Sequence, residues 1–273
     1  MASTKEKECE SAKSAAMLTE LCVEQFNRRK ALLEEGSSRR EAMSLILRKL
    51  TKGDDNIEQA LENARQKSLA LAEAPLPTPV PAIGPPLTDF GLLNPVFAAP
   101  WEFAWDFEDH DGSGFFQTRK SVGGIIGFNL HANNASGSCA VAVGRRYRLP
   151  HPGLTSMRLS ATLGLTYSYG NQAPLAHAHT RAWIGFFVAE FTPSGTVGAE
   201  VINQKINLWY LDTDDDFSSR QAFPLSISFP VDYRNEYEIW VRVGGDVYSS
   251  GIISAISYAN LQVYIGSVSG QLG

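Results

Sequence analysis

Two histidines one residue apart, His177 and His179, carry the sharpest chemical signal in this chain. In a β-strand, residues i and i+2 project to the same face, so both imidazoles could ligate one transition-metal ion. Two acidic stretches supply instead the hard oxygen donors that Ca2+ takes. Asp109 and Asp111 alternate within residues 106–112, and Asp212, Asp214 and Asp216 alternate within residues 212–216. Neither stretch has EF-hand spacing. The glycine of the first puts Phe107 at the leading ligand position and Thr118 at the closing one, and the second has no glycine and places Phe223 where the closing Glu belongs. No cofactor is required by these residues; Ca2+ or a transition metal is what they would take.

The His-x-His spacing, with Glu190 following on what would be the same strand, resembles the opening of the cupin metal motif, but no histidine follows His179. For covalent catalysis there is no Gly-x-Ser-x-Gly elbow, and Cys139 lies in an apolar run where a thiolate is poorly stabilised. The glycine run 122–127 lacks the Lys-Ser/Thr ending of a phosphate loop. Carboxylates for glycosidase chemistry exist at Glu190, Glu200, Asp232, Glu236 and Glu238, with no spacing that pairs any two. Catalysis has no motif behind it, and the reading leans away from an enzyme.

Recognition has more. Alternation over residues 236–243 puts Tyr237, Ile239, Val241 and Val243 on one face, and Trp240 with Glu236, Glu238 and Arg242 on the other. An aromatic among charges on an outward face suits stacking on a sugar ring or anchoring a protein interface. By the same alternation Trp209 falls with Asn207 and Leu211. Ligand-binding candidates are therefore Trp240, Glu238, Arg242 and Trp209. The run 180–191 is apolar on both faces, which sandwich strands rarely are, so its outer face is expected to lie under the linker or against another subunit.

The elements that must position these residues fall into two materials. All five tryptophans and all nine tyrosines follow residue 100. Residues 11–35 show apolar positions at three- and four-residue spacing, as do 38–53 and a stretch to residue 73 that Asp54 or Asp55 can cap. The apolar stripes are thin, so these short amphipathic helices need company: the same chain's β-domain, copies of themselves, or another protein. Residues 74–100 are a proline-rich linker, stiff and extended. Beyond it, nine β-rich runs separated by turn residues read as an antiparallel β-sandwich of jelly-roll type, near 101–107, 122–131, 138–148, 157–169, 180–191, 200–210, 225–229, 237–243 and 255–268. The expected division is 1–73, 74–100 and 101–273.

The net charge of −5 lies wholly beyond residue 73, because acidic and basic residues balance before it. An acidic domain repels phosphate backbones, which argues against nucleic acid as a partner. Cys9, Cys22 and Cys139 are too few and scattered for a disulfide framework. No run approaches the ~20 apolar residues of a membrane span, and the N-terminus does not read as a secretory signal. The expected location is cytoplasmic, or outside by a route without a cleaved signal peptide. The organisation resembles receptor-binding fibres and lectin-like adhesins. It implies a non-enzymatic attachment protein whose sandwich binds a glycan or protein surface, and a homo-oligomer. A structural subunit of a shell, tail or capsid is the alternative, and a polysaccharide-acting enzyme the third.

Overall fold

The computed structural model describes residues 4–35, 42, 45–46, 49, 52–73, 94–173, 177–194, 197–250 and 255–273. Among the described residues, the helices α1 (Thr4–Glu35) and α2 (Asp55–Glu73) precede ten strands, with isolated helical residues at 42, 45, 46 and 49. These are β1 (Val96–Ala98), β2 (Phe103–Arg119), β3 (Ile125–Arg148), β4 (Ser156–Gln172), β5 (His177–Phe191), β6 (Val197–Asn203), β7 (Ile206–Leu211), β8 (Asp215–Pro230), β9 (Glu236–Ser250) and β10 (Ile256–Leu272). The helix expected over 38–53 and the proline-rich linker up to residue 93 lie largely or wholly outside the described residues. Asp54 caps α2: its carboxylate accepts from the amides of Asn56 and Ile57 at 3.1 and 3.3 Å.

The strands are antiparallel throughout and follow one hydrogen-bonded path, β6-β5-β9-β3-β10-β4-β8, with β7 beside β5, β2 beside β3 and β1 beside β10. β3 makes this path a sandwich. Its N-terminal half pairs β10 and its C-terminal half pairs β9. The front layer is thus the C-terminal half of β3 with β9, β5, β6 and β7; the back layer is its N-terminal half with β10, β4, β8 and β1. Ile126, Leu130, Leu163, Leu165, Leu261 and Val263 from the back layer and Val141, Val143, Ile184, Phe186, Ile239 and Val241 from the front close one core.

Several expected turns turn out to be bends inside long strands. The runs 122–131 and 138–148 are a single strand, β3, and Asp111-Gly112-Ser113-Gly114 lies within β2. The registers of the two strands slip together there, between Asp111 and Ser113, with Asn134 at φ 49° and Gly112 at φ 93°. A Cβ at Gly112 would lie 2.9 Å from that of Ala135. Positive-φ residues thus bend a strand pair from one layer to the other, as paired bulges do. The run 200–210, by contrast, is broken at Gln204 and Lys205 into β6 and β7. The last residues assigned to the linker are structured too: β1 pairs with β10.

Candidate functional site

The outer face of the front layer is built by strict alternation. On β9, Tyr237, Ile239, Val241 and Val243 turn into the core, and Glu238, Trp240 and Arg242 turn outward. On β5, Trp183, Phe187, Ala189 and Phe191 face out, and Trp105 of β2 and Ala140 and Ala142 of β3 complete an apolar surface. The indoles lie flat because cross-strand glycines leave room. A Cβ on Gly144 would sit 2.5 Å from the Trp240 ring, and one on Gly244 2.3 Å from that of Trp183.

This face is not open to water. Helix α1 lies across it and buries Ser14, Leu18 and Cys22, a stripe at i, i+4 and i+8, against the aromatic surface. Two of the three indoles find acceptors on the helix: Trp240 Nε1 donates to Ser14 Oγ at 3.2 Å and Trp105 Nε1 to Thr19 Oγ1 at 3.2 Å. Lys205 Nζ donates to Gln25 Oε1. Trp240, Glu238 and Arg242 do share one face, as alternation implied. At 1%, 0% and 1% exposure, however, they form a helix seat rather than a stacking platform in water.

Charges inside the seat are handled in two ways. Arg146 Nη2 meets Glu238 Oε1 at 2.6 Å, a buried ion pair. Burial pushes the Glu238 carboxyl up, while Arg146 and the Ser14 hydroxyl pull the other way without reversing it. Arg242 has no such carboxylate. It donates to Asn203 Oδ1 and lies over the rings of Trp183 and Phe187, 5.0 and 5.2 Å from their centroids. Burial lowers its guanidinium to about 10. Lys205 stands 4.4 Å from the Trp183 centroid, and burial first, then the charge of Arg242, lower its ammonium to about 8.

Trp209 sits elsewhere. A bulge opposite Ala182 and Trp183 skips Leu208 and turns Trp209 into the core. There it stacks on Tyr169 at 4.5 Å and 6°, and its Nε1 donates to Thr180 Oγ1 at 3.3 Å. The alternation that grouped it with Asn207 does not survive that bulge, and its part in an outward ligand face is corrected accordingly.

The metal candidates are dispersed. His177 and His179 share a face with ring centroids 6.1 Å apart. His179 is buried, stacks on Tyr248 at 5.4 Å and points Nε2 at Asp246 Oδ2, 3.6 Å away. Asp109 and Asp111 lie along β2 rather than in a loop. Asp214 accepts from the Ala173 amide at 2.8 Å and Asp216 from the Tyr258 hydroxyl at 3.1 Å, while Asn171 holds the Leu211 and Thr213 carbonyls. Asp212 is exposed. The second acidic stretch therefore fastens one end of the sandwich. Among the described residues no three His, Cys, Asp or Glu converge on a point where a metal ion could be held. The carboxylates offered for acid–base chemistry are also engaged: Glu190 accepts from Asn235 and Tyr237, Asp232 pairs with Arg234, and Glu200 accepts from Asn203.

The seat's other members, Trp105, Trp183, Phe187, Phe191, Arg146, Lys205 and Asn203, were not singled out from sequence as site residues. The signal available for Trp183, Phe187 and Phe191 was the two-faced apolarity of 180–191. No protein-family model matches the chain, and no curated protein does. Among solved structures it is similar to one described as "Structural basis for the promiscuous specificity of the carbohydrate-binding modules from the beta-sandwich super family", at 11% identity and TM-score 0.18, covering 64% of this chain and 56% of that one. It is also similar to the infectious bursal disease virus Gx strain structure, at 12% identity and TM-score 0.23, covering 71% of this chain and 40% of that one. The chain thus spans about half the length of the structures it resembles. No helix among the described residues is long and apolar enough to cross a membrane.

Proposed function

We propose that this chain is a non-enzymatic binding and attachment protein, in which the jelly-roll-like sandwich recognises a protein surface through the outer face of its front layer. In the resting chain α1 is the helix that face holds. The observation that carries this reading is the seating of α1: Ser14, Leu18 and Cys22 enter a groove of three indoles and two phenyl rings, with both outer indole N–H groups bonded to helix hydroxyls. Helix-in-groove recognition rests on such anchors. Glycan stacking on Trp240, the other form of recognition expected, would require α1 to lift first. In this scheme residues 1–73 dock, 74–100 space and 101–273 recognise.

The test is binding of a synthetic peptide of residues 10–30 to the full chain carrying Leu18→Glu, which places a charge in the apolar seat and frees it. The released groove is expected to take the peptide in trans with micromolar affinity, read by fluorescence anisotropy. No binding, with the sandwich still folded by circular dichroism, would contradict the reading.

Self-assembly is favoured by one further observation: residues 36–95 separate α1 from β1, a length that lets the helix reach the groove of a second copy. A wild-type chain that is dimeric by light scattering and a Leu18→Glu chain that is monomeric would establish helix exchange and favour a structural subunit. Two monomers would remove it.

A further inference from the structure

The seat beneath α1 contains a charge imbalance at its middle. Toward one end Arg146 is matched by Glu238 at 2.6 Å, and toward the other Arg181 is matched by Asp246 at 3.0 Å. Among the described residues Arg242 and Lys205, which lie between these pairs, touch no carboxylate, and Glu200 acts on them only from a distance. Arg242 is 1% exposed, donates to the amide oxygen of Asn203, and has a buried Nε without any partner. The carboxylate of Glu200 is reached only through Asn203, whose Nδ2 donates to Glu200 Oε2 at 3.2 Å. Lys205 also lies over the Trp183 ring and bonds the neutral amide of Gln25. The helix residue in the field of both cations is Cys22, a neutral thiol. A buried guanidinium without a counter-ion costs far more than one in an ion pair. Here α1 satisfies the shape of the groove but not its charge.

Resting on the binding role proposed above, we infer that the groove's cognate occupant is an amphipathic helix of a partner protein that carries Asp or Glu where α1 presents Cys22. The partner's carboxylate would meet Arg242 and Lys205, and α1 is the weaker, built-in occupant it displaces. Shape argues for a helix rather than a flat ligand, because the indole donors of Trp240 and Trp105 are met by hydroxyls five residues apart on α1, Ser14 and Thr19, on either side of the Leu18 anchor. Charge argues for acid at a single position, because the remaining cations of the seat are already paired. Tethering gives α1 the advantage of high local concentration, so a partner must bind more tightly per contact to replace it. A carboxylate at the position of Cys22 supplies that difference.

The experiment compares two synthetic peptides of residues 10–30, one with the native Cys22 and one with Cys22→Glu, binding to the full chain bearing Leu18→Glu. Leu18→Ala serves as a milder release should the first variant misfold. The Glu peptide is expected to bind at least tenfold more tightly than the native one, and Arg242→Met in the protein is expected to erase that ratio. Equal affinity of the two peptides would overturn the inference and leave the docking role standing. Binding of neither would remove the docking role itself. Displacement of α1 from the wild-type chain by 3′-sialyllactose but not by the Glu peptide would overturn the helix assignment in favour of an acidic sugar.

Discussion

The two outer faces of this sandwich are made by the same alternation and covered by the same chain, yet they differ in material. The front face presents Trp105, Trp183, Phe187, Phe191 and Trp240 around a few buried charges. The back face presents aligned polar rows across β3, β10 and β4: Asn129, Asn260 and Ser168 in one, Gly127, Gln262 and Thr166 in the next. Asn260 donates to Ser168 Oγ at 3.2 Å within its row. Helix α2 lies alongside β4 and β10, with residues 55–60 in water. The difference separates coverage from recognition. The front face has large rings and ionised groups that must be matched residue by residue, which gives it a reason to be selective.

The largest expected effect breaks the front face at its charge pair. Arg146→Met leaves Glu238 buried and unpaired and is expected to cost ~3–5 kcal/mol in urea unfolding, whereas Arg242→Met, which strands no carboxylate, is expected to be neutral or stabilising. Similar losses from the two substitutions would show that both arginines are compensated. Next comes truncation of the anchor: Leu18→Ala is expected to weaken α1 docking by ~2 kcal/mol or more and to raise acrylamide quenching of tryptophan fluorescence. On the back face, Thr166→Val removes a buried hydroxyl with no partner and is expected to leave stability unchanged or slightly raised.

A pH dependence sharpens the same contrast. Lys205 titrates near 8 in the docked state, chiefly because it is buried, and higher once α1 no longer covers it, with Arg242, Arg181, Glu200 and Cys22 as the charged or titratable groups around it. Between these values the released state holds a proton that the docked state has shed, so docking strengthens as pH rises through 8. Cys22 opposes this from about pH 9, because its buried thiol is pushed above the usual 9.0. The expected result is tighter docking at pH 9 than at pH 7.5, abolished by Lys205→Met; a flat profile in the wild type would mean that Lys205 is not desolvated by α1. The smallest effect is Ser14→Ala, which leaves the Trp240 indole without its acceptor and is expected to weaken docking by ~1 kcal/mol.

The sequence made the β-sandwich legible through its aromatic content, its alternation and its turn residues. It also made the grouping of Trp240, Glu238 and Arg242 legible, because a period of two needs no knowledge of neighbours. What covered that grouping was not legible. The thin stripe of α1 and the two-faced apolarity of 180–191 were each visible as a deficit, but which surface answers which deficit is a tertiary fact. Trp209 went astray because a single bulge at Leu208 inverts the alternation, and bulges leave no reliable mark when no glycine is involved. The acidic stretch 212–216 looked like an ion loop because composition counts carboxylates and does not see the Ala173 amide and Tyr258 hydroxyl that engage them. The turn-prone residues Asp111-Gly112-Ser113-Gly114 and Asn133-Asn134 do supply positive φ, at Gly112 and Asn134, but they bend a strand pair between layers instead of ending it.

The central claim is that α1 occupies the front face as a releasable helix, and hydrogen exchange read by mass spectrometry tests it most directly. In the full chain at pH 7.5, amides of residues 14–28 are expected to exchange at least tenfold more slowly than in the Leu18→Glu variant, while those of β3, β9 and β10 exchange alike in both. Fast exchange of residues 14–28 in the wild-type chain, indistinguishable from the variant, would contradict the claim and leave the aromatic face without its helix.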